Sequence, residues 1–475
     1  MERLIYDGKI PFFSAKEITH SRVGIGFEKL DRDVFDPKKA YDKVSMIGVK
    51  KIRLQSGWQK TEKQRGVYDF AWLDEIVDKL ISLGMEPWLC LSYGNQLYTE
   101  LAKEVFGAVG CPPIASDEEL EAWIRYVKAT VKHFKGRISL YEIWNEPDCS
   151  YSWKHELGET VDKMRNAREY GHFATSTAKA IKEADGEALV TALALGHIAN
   201  LQWVNTALST GLYNYIDYVT FHVYSSTDAR RASKISSLRD LVASYNPKIK
   251  LIQGESGAQS RSDGHGAMHG FAWTPEKQVK MLLRTLICDI HEGVEFSSYF
   301  STMDMIEALH GLLSDKASYL DYGYFGVISA SFDEDGRATG EYTEKPSYYA
   351  LSALASLLRG DAHACDIPYA VESLPSRRVN GDDCDDRDIQ IYSFELDGGE
   401  KSMIYWKRAD ILTETYEGTA TFCVYCQKND NIRICDLKDG SIYKLPQEMV
   451  EDLGFGGVRL KNIPLTDSPL AILFE

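Results

Sequence analysis

The chain has 475 residues, 44% hydrophobic and 26% charged, a composition that excludes a disordered protein and predicts one large domain with a smaller companion. A formal net charge of −16, with Lys and Arg scattered and no polybasic block, excludes a nucleic-acid partner and reads as solubility. No stretch approaches the roughly 20 apolar residues that cross a membrane. MERLIYDGKIPFF lacks the basic-then-apolar pattern of a secretory signal. Nine cysteines, odd in number and irregularly spaced, fit reduced thiols, so a cytoplasmic location is expected.

From residue 21 to residue 360, short β-branched or aromatic runs alternate with amphipathic stretches. The strand candidates are RVGIGF (22–27), KKIRLQS (50–56), EPWLCLSYG (86–94), SLYEIWNEP (139–147), ALVTALAL (188–195), IDYVTFHVY (216–224), KLIQGESG (250–257) and EFSSYFST (295–302). Eight such runs are what a closed (β/α)₈ barrel needs. Helices between them carry their own punctuation. Asp36-Pro37 opens one and Gly48 closes it. Ser116 and Glu119 form a capping box before Leu120, Trp123, Ile124, Val127, Val131 and Phe134, which share one face. Thr274-Pro275 opens a helix whose stripe is Val279, Leu282, Leu283, Leu286, Ile287 and Ile290, and Pro346 begins the last, ending on Gly360. Strict alternation predicts parallel strands with right-handed crossovers. An open doubly wound sheet is the rival, but no G-x-G-x-x-G follows any strand.

Residues 361–475 change character: DIQIYSFEL, SMIYWKR, GTATFCVYCQ and PLAILFE alternate at period two between Asp/Gly/Asn turns. This predicts a smaller antiparallel β-sandwich, to which RLIYDGKI within the first 20 residues would add a strand.

Two glutamates stand out. Glu146 lies in YEIWNEPD at the carboxyl end of the fourth strand, and Glu255 in LIQGESG at the end of the seventh. Barrel active sites form at that face from several strand ends. Hydrolysing a glycoside by double displacement needs one carboxylic acid to protonate the leaving oxygen and one carboxylate to attack the anomeric carbon. Two carboxylates sharing a site resist both ionising, so an ionised Glu255 would keep a proton on Glu146. Arg53 is placed to hold Glu255 ionised.

With these residues the chain resembles the clan A glycoside hydrolases, in particular family 39, which includes β-xylosidases and α-L-iduronidases. The likeness runs from about residue 20 to the end. YEIWNEPDCSYSW resembles that family's fourth-strand motif, which implies Glu146 as acid/base, Glu255 as nucleophile and Asn145 as a partner of the sugar 2-hydroxyl. IDYVTFHVY resembles its sixth strand, implying Tyr224 beside the nucleophile and His222 in the same wall. GYFGVI (323–328) with KPSYYAL (345–351) resembles the closing segment. Three places depart: in Arg53-Leu54-Gln55, glutamine stands where the histidine of Arg-x-His is usual, Ser256-Gly257-Ala258 follows the nucleophile, and PWLCLSYGNQLY lacks the family's text.

The implied activity is a retaining exo-glycosidase, β-xylosidase-like, acting on an oligosaccharide or glycoside with no cofactor and no metal. Its substrate-binding residues are expected to be Asn145, Arg53, Gln55, His222, Tyr224, Trp153 and Asn95. The rivals are β-glucosidase, β-galactosidase, α-L-arabinosidase or α-L-iduronidase specificity, or a non-catalytic barrel that only binds sugar. Among Trp58, Trp88, Trp144, Trp153 and Trp273, Trp153 is the expected sugar platform, and Trp88 and Trp144 are expected in the core. His265 and His269 fall in a glycine-rich loop after the seventh strand, where plain loop is favoured over sugar contact. Cys423, Cys426 and Cys435 do not make a zinc site: residues 423 and 426 of a strand face opposite ways, and a fourth ligand is missing.

Overall fold

The computed structural model describes residues 1, 3–157, 162–308, 311–373, 388–426 and 431–474. Each of the eight predicted runs contains one strand of a closed parallel barrel: Val23–Gly26, Lys51–Gln55, Glu86–Leu91, Leu140–Ile143, Leu189–Leu195, Tyr218–His222, Lys250–Ser256 and Ser297–Tyr299. The first strand pairs with both the second and the eighth, which closes the ring. The observed strands are shorter than the apolar runs. The fourth ends at Ile143 because the chain turns out of the sheet at Trp144, with φ at +67°.

The helices start where their caps predict. Asp36 accepts from the Lys38 amide at 3.0 Å ahead of Pro37, and Thr274 from the Lys277 amide at 3.3 Å ahead of Pro275. Ser116 accepts from the Glu119 amide at 3.3 Å, while the Glu119 carboxylate reaches Ala115 rather than closing the box on Ser116. Gly48 takes φ +84°, and a Cβ there would lie 2.4 Å from the Phe13 carbonyl oxygen. On helix Asp117–Phe134, Trp123, Val127, Val131 and Phe134 are buried; Leu120 and Ile124 are half-buried at its edge.

Helix Pro275–His291 departs from the expected single stripe. Val279, Leu282, Leu283, Leu286, Ile287 and Ile290 face the barrel, yet Lys280, Arg284 and Asp289 are buried as well. Asp289 pairs with Arg231 and Ser297 within the barrel domain, whereas Lys280 and Arg284 are covered by a second layer on the outer side of the helix. Lys280 bonds Asp467 at 2.7 Å, and Arg284 donates to the carbonyls of Ala409 at 3.1 Å and Lys407 at 3.3 Å.

That layer is antiparallel. A seven-stranded sheet includes Ile389–Glu395, Lys401–Lys407, Ile432–Asp436 and Leu470–Phe474, and it faces a four-stranded sheet that includes Glu417–Tyr425 and Gly457–Thr466. The N-terminal strand Ile5–Lys9 pairs with Ser441–Lys444 at the edge of the larger sheet. Met403, Tyr405, Ile434 and Ile472 from one sheet meet Phe422, Val424, Leu460 and Ile463 from the other in a core separate from the barrel's. Alternate residues of each strand face this core, but Lys401–Lys407 and Leu470–Phe474 are buried on both faces, because Ile404, Trp406, Ala471 and Leu473 pack on the barrel side.

Candidate active site

The segment after the fourth strand is pinned residue by residue. The Trp144 amide donates to Leu91 at 3.1 Å, and the Glu146 amide to Ala194 at 3.0 Å, so the backbone swings from the third strand to the fifth within two residues. Glu146 itself has φ +47°, a left-handed conformation that costs a non-glycine residue energy and that neighbours must enforce. They do so from both sides. Asn166 donates to the Pro147 carbonyl at 2.9 Å, and Asp148 accepts from the amides of Gly196 at 2.7 Å and His197 at 3.1 Å. The Glu146 carboxylate is thereby aimed over the barrel mouth. It accepts from Tyr151 Oη on one oxygen and lies 3.0 Å from His222 Nδ1 on the other.

Glu255 arrives from the opposite wall. Its Oε1 accepts from Tyr224 Oη at 2.6 Å and its Oε2 from Arg53 Nη1 at 2.7 Å. His222 Nδ1 is 3.8 Å from Oε2. One oxygen of Glu146, one of Glu255 and a ring nitrogen of His222 all lie within 4.8 Å of one another. Arg53 anchors the floor. It is wholly enclosed and also contacts Glu142, Glu28 Oε1 at 2.8 Å and Asn145 Oδ1 at 2.8 Å.

Burial alone would raise the Glu255 carboxyl, but His222, Arg53, the Tyr224 bond and Lys29 together hold it below its ordinary value. Burial, reinforced by the Glu255 charge, holds the Tyr224 hydroxyl well above its usual range, so it stays a donor. For His222, burial opposes the charged form, yet the Glu255 charge and the Glu146 contact raise it. The clear upward shifts among the mouth carboxyls fall on Glu28 and Glu307, each pushed by burial to about 7 despite the cations Arg53 and Lys29.

The recess above these groups encloses about 500 Å³, counting the space open to solvent. Gln55, Asn145, Glu146, Tyr224 and Glu255 line it, as do Glu28, Lys29, Tyr151, Ala267, Phe300, Glu307 and Phe325. Gln55 is held by the Lys29 amide at 3.1 Å and by Arg32 at 2.9 Å, both onto its Oε1.

Four expected sugar contacts are corrected. Arg53 and His222 are fully buried beneath the recess and touch the carboxylates rather than its open space. Trp153 is fully buried among Trp144, Tyr170 and Phe173, because its loop folds back over helix Lys163–Ala184. Asn95 is a loop brace: its amide donates to the Glu62 carbonyl at 2.9 Å and its Oδ1 accepts from the Leu97 amide at 2.9 Å. Trp58, Trp88, Trp144 and Trp273 are buried too, and the apolar walls are Phe300 and Phe325 instead. In the loop after the seventh strand, His265 and His269 are exposed, and Ala267 between them reaches the recess. Cys423 and Cys435 sit in strands of different sheets and are free thiols.

Several lining residues escaped the sequence reading. Glu28 follows the first strand and was open to the same strand-end rule as Glu146. Tyr151 lies inside the quoted fourth-strand motif, and Phe325 inside the closing segment. Lys29 and Glu307 carry no local signal: Lys29 Nζ reaches Glu307 at 3.4 Å and the Ile306 carbonyl at 2.9 Å only after the barrel closes.

Comparison with known proteins bears on family and fold. Residues 37–254 match the model for glycosyl hydrolases family 39. A β-xylosidase of Geobacillus stearothermophilus is 25% identical over 168 residues, 34% of this chain and 31% of that protein. A β-xylosidase of Caldicellulosiruptor saccharolyticus is 26% identical over 128 residues, 25% of this chain and 24% of its own. The matched segments thus span less than a third of those relatives. Among solved structures, a family 39 glycoside hydrolase from Bacteroides cellulosilyticus superposes with a TM-score of 0.64 at 15% identity, covering 98% of this chain and 83% of that one. A family 39 β-xylosidase from Caulobacter crescentus gives 0.56 at 17% identity, covering 99% and 98%. At these identities the structures bear on the fold, a barrel with an antiparallel companion, while the sequence likeness to family 39 lies in the barrel.

Proposed function

We propose that this protein is a retaining exo-glycosidase of the clan A type, cleaving a terminal β-xyloside or similar glycoside by double displacement. The observation that carries the reading is the approach of Glu146 and Glu255 to within 4.8 Å, oxygen to oxygen. Retaining enzymes hold their carboxyl groups about 5–5.5 Å apart, and inverting enzymes about 6.5–9.5 Å, to leave room for a water.

Glu255, held ionised by Arg53 and Tyr224, attacks the anomeric carbon as Glu146 gives its proton to the departing oxygen. The result is an ester between sugar and Glu255. With the Glu255 charge consumed, Glu146 takes a proton from water, which attacks the same carbon and frees Glu255. Asn145, held by Arg53, lines the same recess, and the resemblance to family 39 gives it the sugar 2-hydroxyl as partner. The recess, walled by Phe300, Phe325 and Glu307, suits one terminal sugar better than the middle of a chain. The β-xylosidase relatives favour a pentose. Both carboxylates, with their separate donors, are superfluous to a protein that only binds sugar.

Proton NMR of the first product from an aryl β-xyloside is the test. The β anomer should appear first and then mutarotate. An α first product would overturn the mechanism, and no turnover across pentose, hexose and uronic acid glycosides would overturn the enzyme reading.

A further inference from the structure

Beside the two glutamates lies a cluster the proposed reaction does not use. Asp148 and Cys149 follow the fourth strand, and His197 follows the fifth. Cys149 Sγ is 3.4 Å from His197 Nδ1, Asp148 Oδ2 is 3.5 Å from the same nitrogen, and Sγ is 3.9 Å from Asp148 Oδ1. The geometry points to a binding site for a borderline-soft divalent cation, zinc first, held by Cys149 Sγ, His197 Nδ1 and an Asp148 carboxylate oxygen.

The distances are the main argument. A tetrahedral zinc, with bonds of about 2.3 Å to sulfur and about 2.0–2.2 Å to nitrogen and oxygen, sets its ligand atoms about 3.4–3.6 Å apart. Two edges of one face of such a tetrahedron are already in place, Sγ to Nδ1 at 3.4 Å and Nδ1 to Asp148 Oδ2 at 3.5 Å; Oδ1 is the Asp148 oxygen 3.9 Å from the sulfur, and one oxygen, the sulfur and the nitrogen all lie within 4.8 Å of one another, leaving the fourth vertex to water. Thiolate, imidazole and carboxylate together suit zinc or cobalt, whereas calcium and magnesium prefer oxygen alone.

The cluster is also built rather than fortuitous. Asp148 is fixed by the Gly196 and His197 amides, and Cys149 by its own amide to the Glu146 carbonyl at 2.9 Å. Gly196 makes room for the sulfur: a Cβ there would lie 2.4 Å from Cys149 Sγ and 3.3 Å from the Glu146 carboxyl carbon. Asp148 and Cys149 are buried, but the His197 ring is 69% exposed, which gives an ion an entry path. Coordination would release the thiol proton to solvent. It would also tie the loop that carries Glu146 to the loop after the fifth strand, a strut beside the acid/base rather than part of the chemistry.

The test titrates the metal-free protein with Co²⁺ and Zn²⁺, following absorbance and the thermal midpoint. The expected result is about one Co²⁺ per chain with a thiolate-to-cobalt charge-transfer band, displaced by Zn²⁺, and a Zn²⁺-dependent rise in midpoint. Cys149→Ser should abolish the band. His197→Ala, at an exposed position that does not endanger folding, should weaken binding at least 10-fold. Because Glu146, His222 and Glu255 also bring three donor atoms together, Glu255→Gln is the control and should bind as the wild type does. No binding, or binding that survives Cys149→Ser, or binding lost in Glu255→Gln, would overturn the proposal. Each of these outcomes is independent of whether the protein cleaves glycosides.

Discussion

Replacing Tyr224 with Phe removes one hydroxyl and leaves the ring against Phe325, with which it packs at 5.6 Å between centroids. The lost bond is the 2.6 Å contact to Glu255 Oε1, in the short range of a hydroxyl donating to a carboxylate. Hydrogen bonds to charged groups contribute about 1.5–3 kcal/mol, which bounds the loss in kcat to roughly 10- to 160-fold if the tyrosine keeps Glu255 aimed through the transition state. KM should change less, because the recess keeps its shape. The pH profile supplies a second readout. In the proposed mechanism Glu255 must be ionised to attack, and its proton affinity is held down by His222, Arg53 and the Tyr224 bond against the opposing effect of burial. Without the tyrosine, the acidic limb of kcat/KM should move to higher pH, and the alkaline limb should stay. Steady-state kinetics on an aryl β-xyloside from acid to alkaline pH, for wild type and Tyr224→Phe, measure both. An unchanged kcat with an unmoved acidic limb would refute the reasoning and leave Tyr224 as wall.

Glu146→Ala should fail most on poor leaving groups, while activated aryl glycosides still load Glu255; azide should then restore turnover and give a glycosyl azide of the substrate's configuration, whereas Glu255→Ala rescued by azide should give the opposite one. Product stereochemistry exchanged between the two variants would reverse the roles. Asp289→Ala should cost about 3–5 kcal/mol in urea unfolding, because it strands the buried Arg231, which Asp289 holds at 2.6 and 2.8 Å; a change under 1 kcal/mol would show the pair to be inconsequential. Truncation after Gly360 should yield insoluble protein, since it uncovers Lys280 and Arg284 together with the outer face of their helix. A soluble, fully active barrel fragment would show the second layer to be dispensable.

Much of this molecule is written locally. Eight apolar runs spaced by capped helices determine a barrel, because alternating strands and helices can bury their apolar faces only by closing into layers. The two glutamates were legible for the same reason: a strand end in a parallel barrel points to the mouth whatever surrounds it. Which side chains share the recess was settled only by closure. Trp153 and Asn95 sit in loops after the fourth and third strands, and nothing in their neighbours distinguishes a sugar platform from a core plug. Their burial depends on where distant helices pack. Arg53 was expected near Glu255, but its simultaneous hold on Glu28, Glu142 and Asn145 joins the second strand to the end of the first and to the fourth. Lys29 meets Glu307 across 278 positions of chain, and Cys149 meets His197 across 48. Periodicity reports which face of an element is buried, because that depends on neighbours three or four residues away. Distances between elements depend on register and on the radius of the closed ring, and only the tertiary structure carries those.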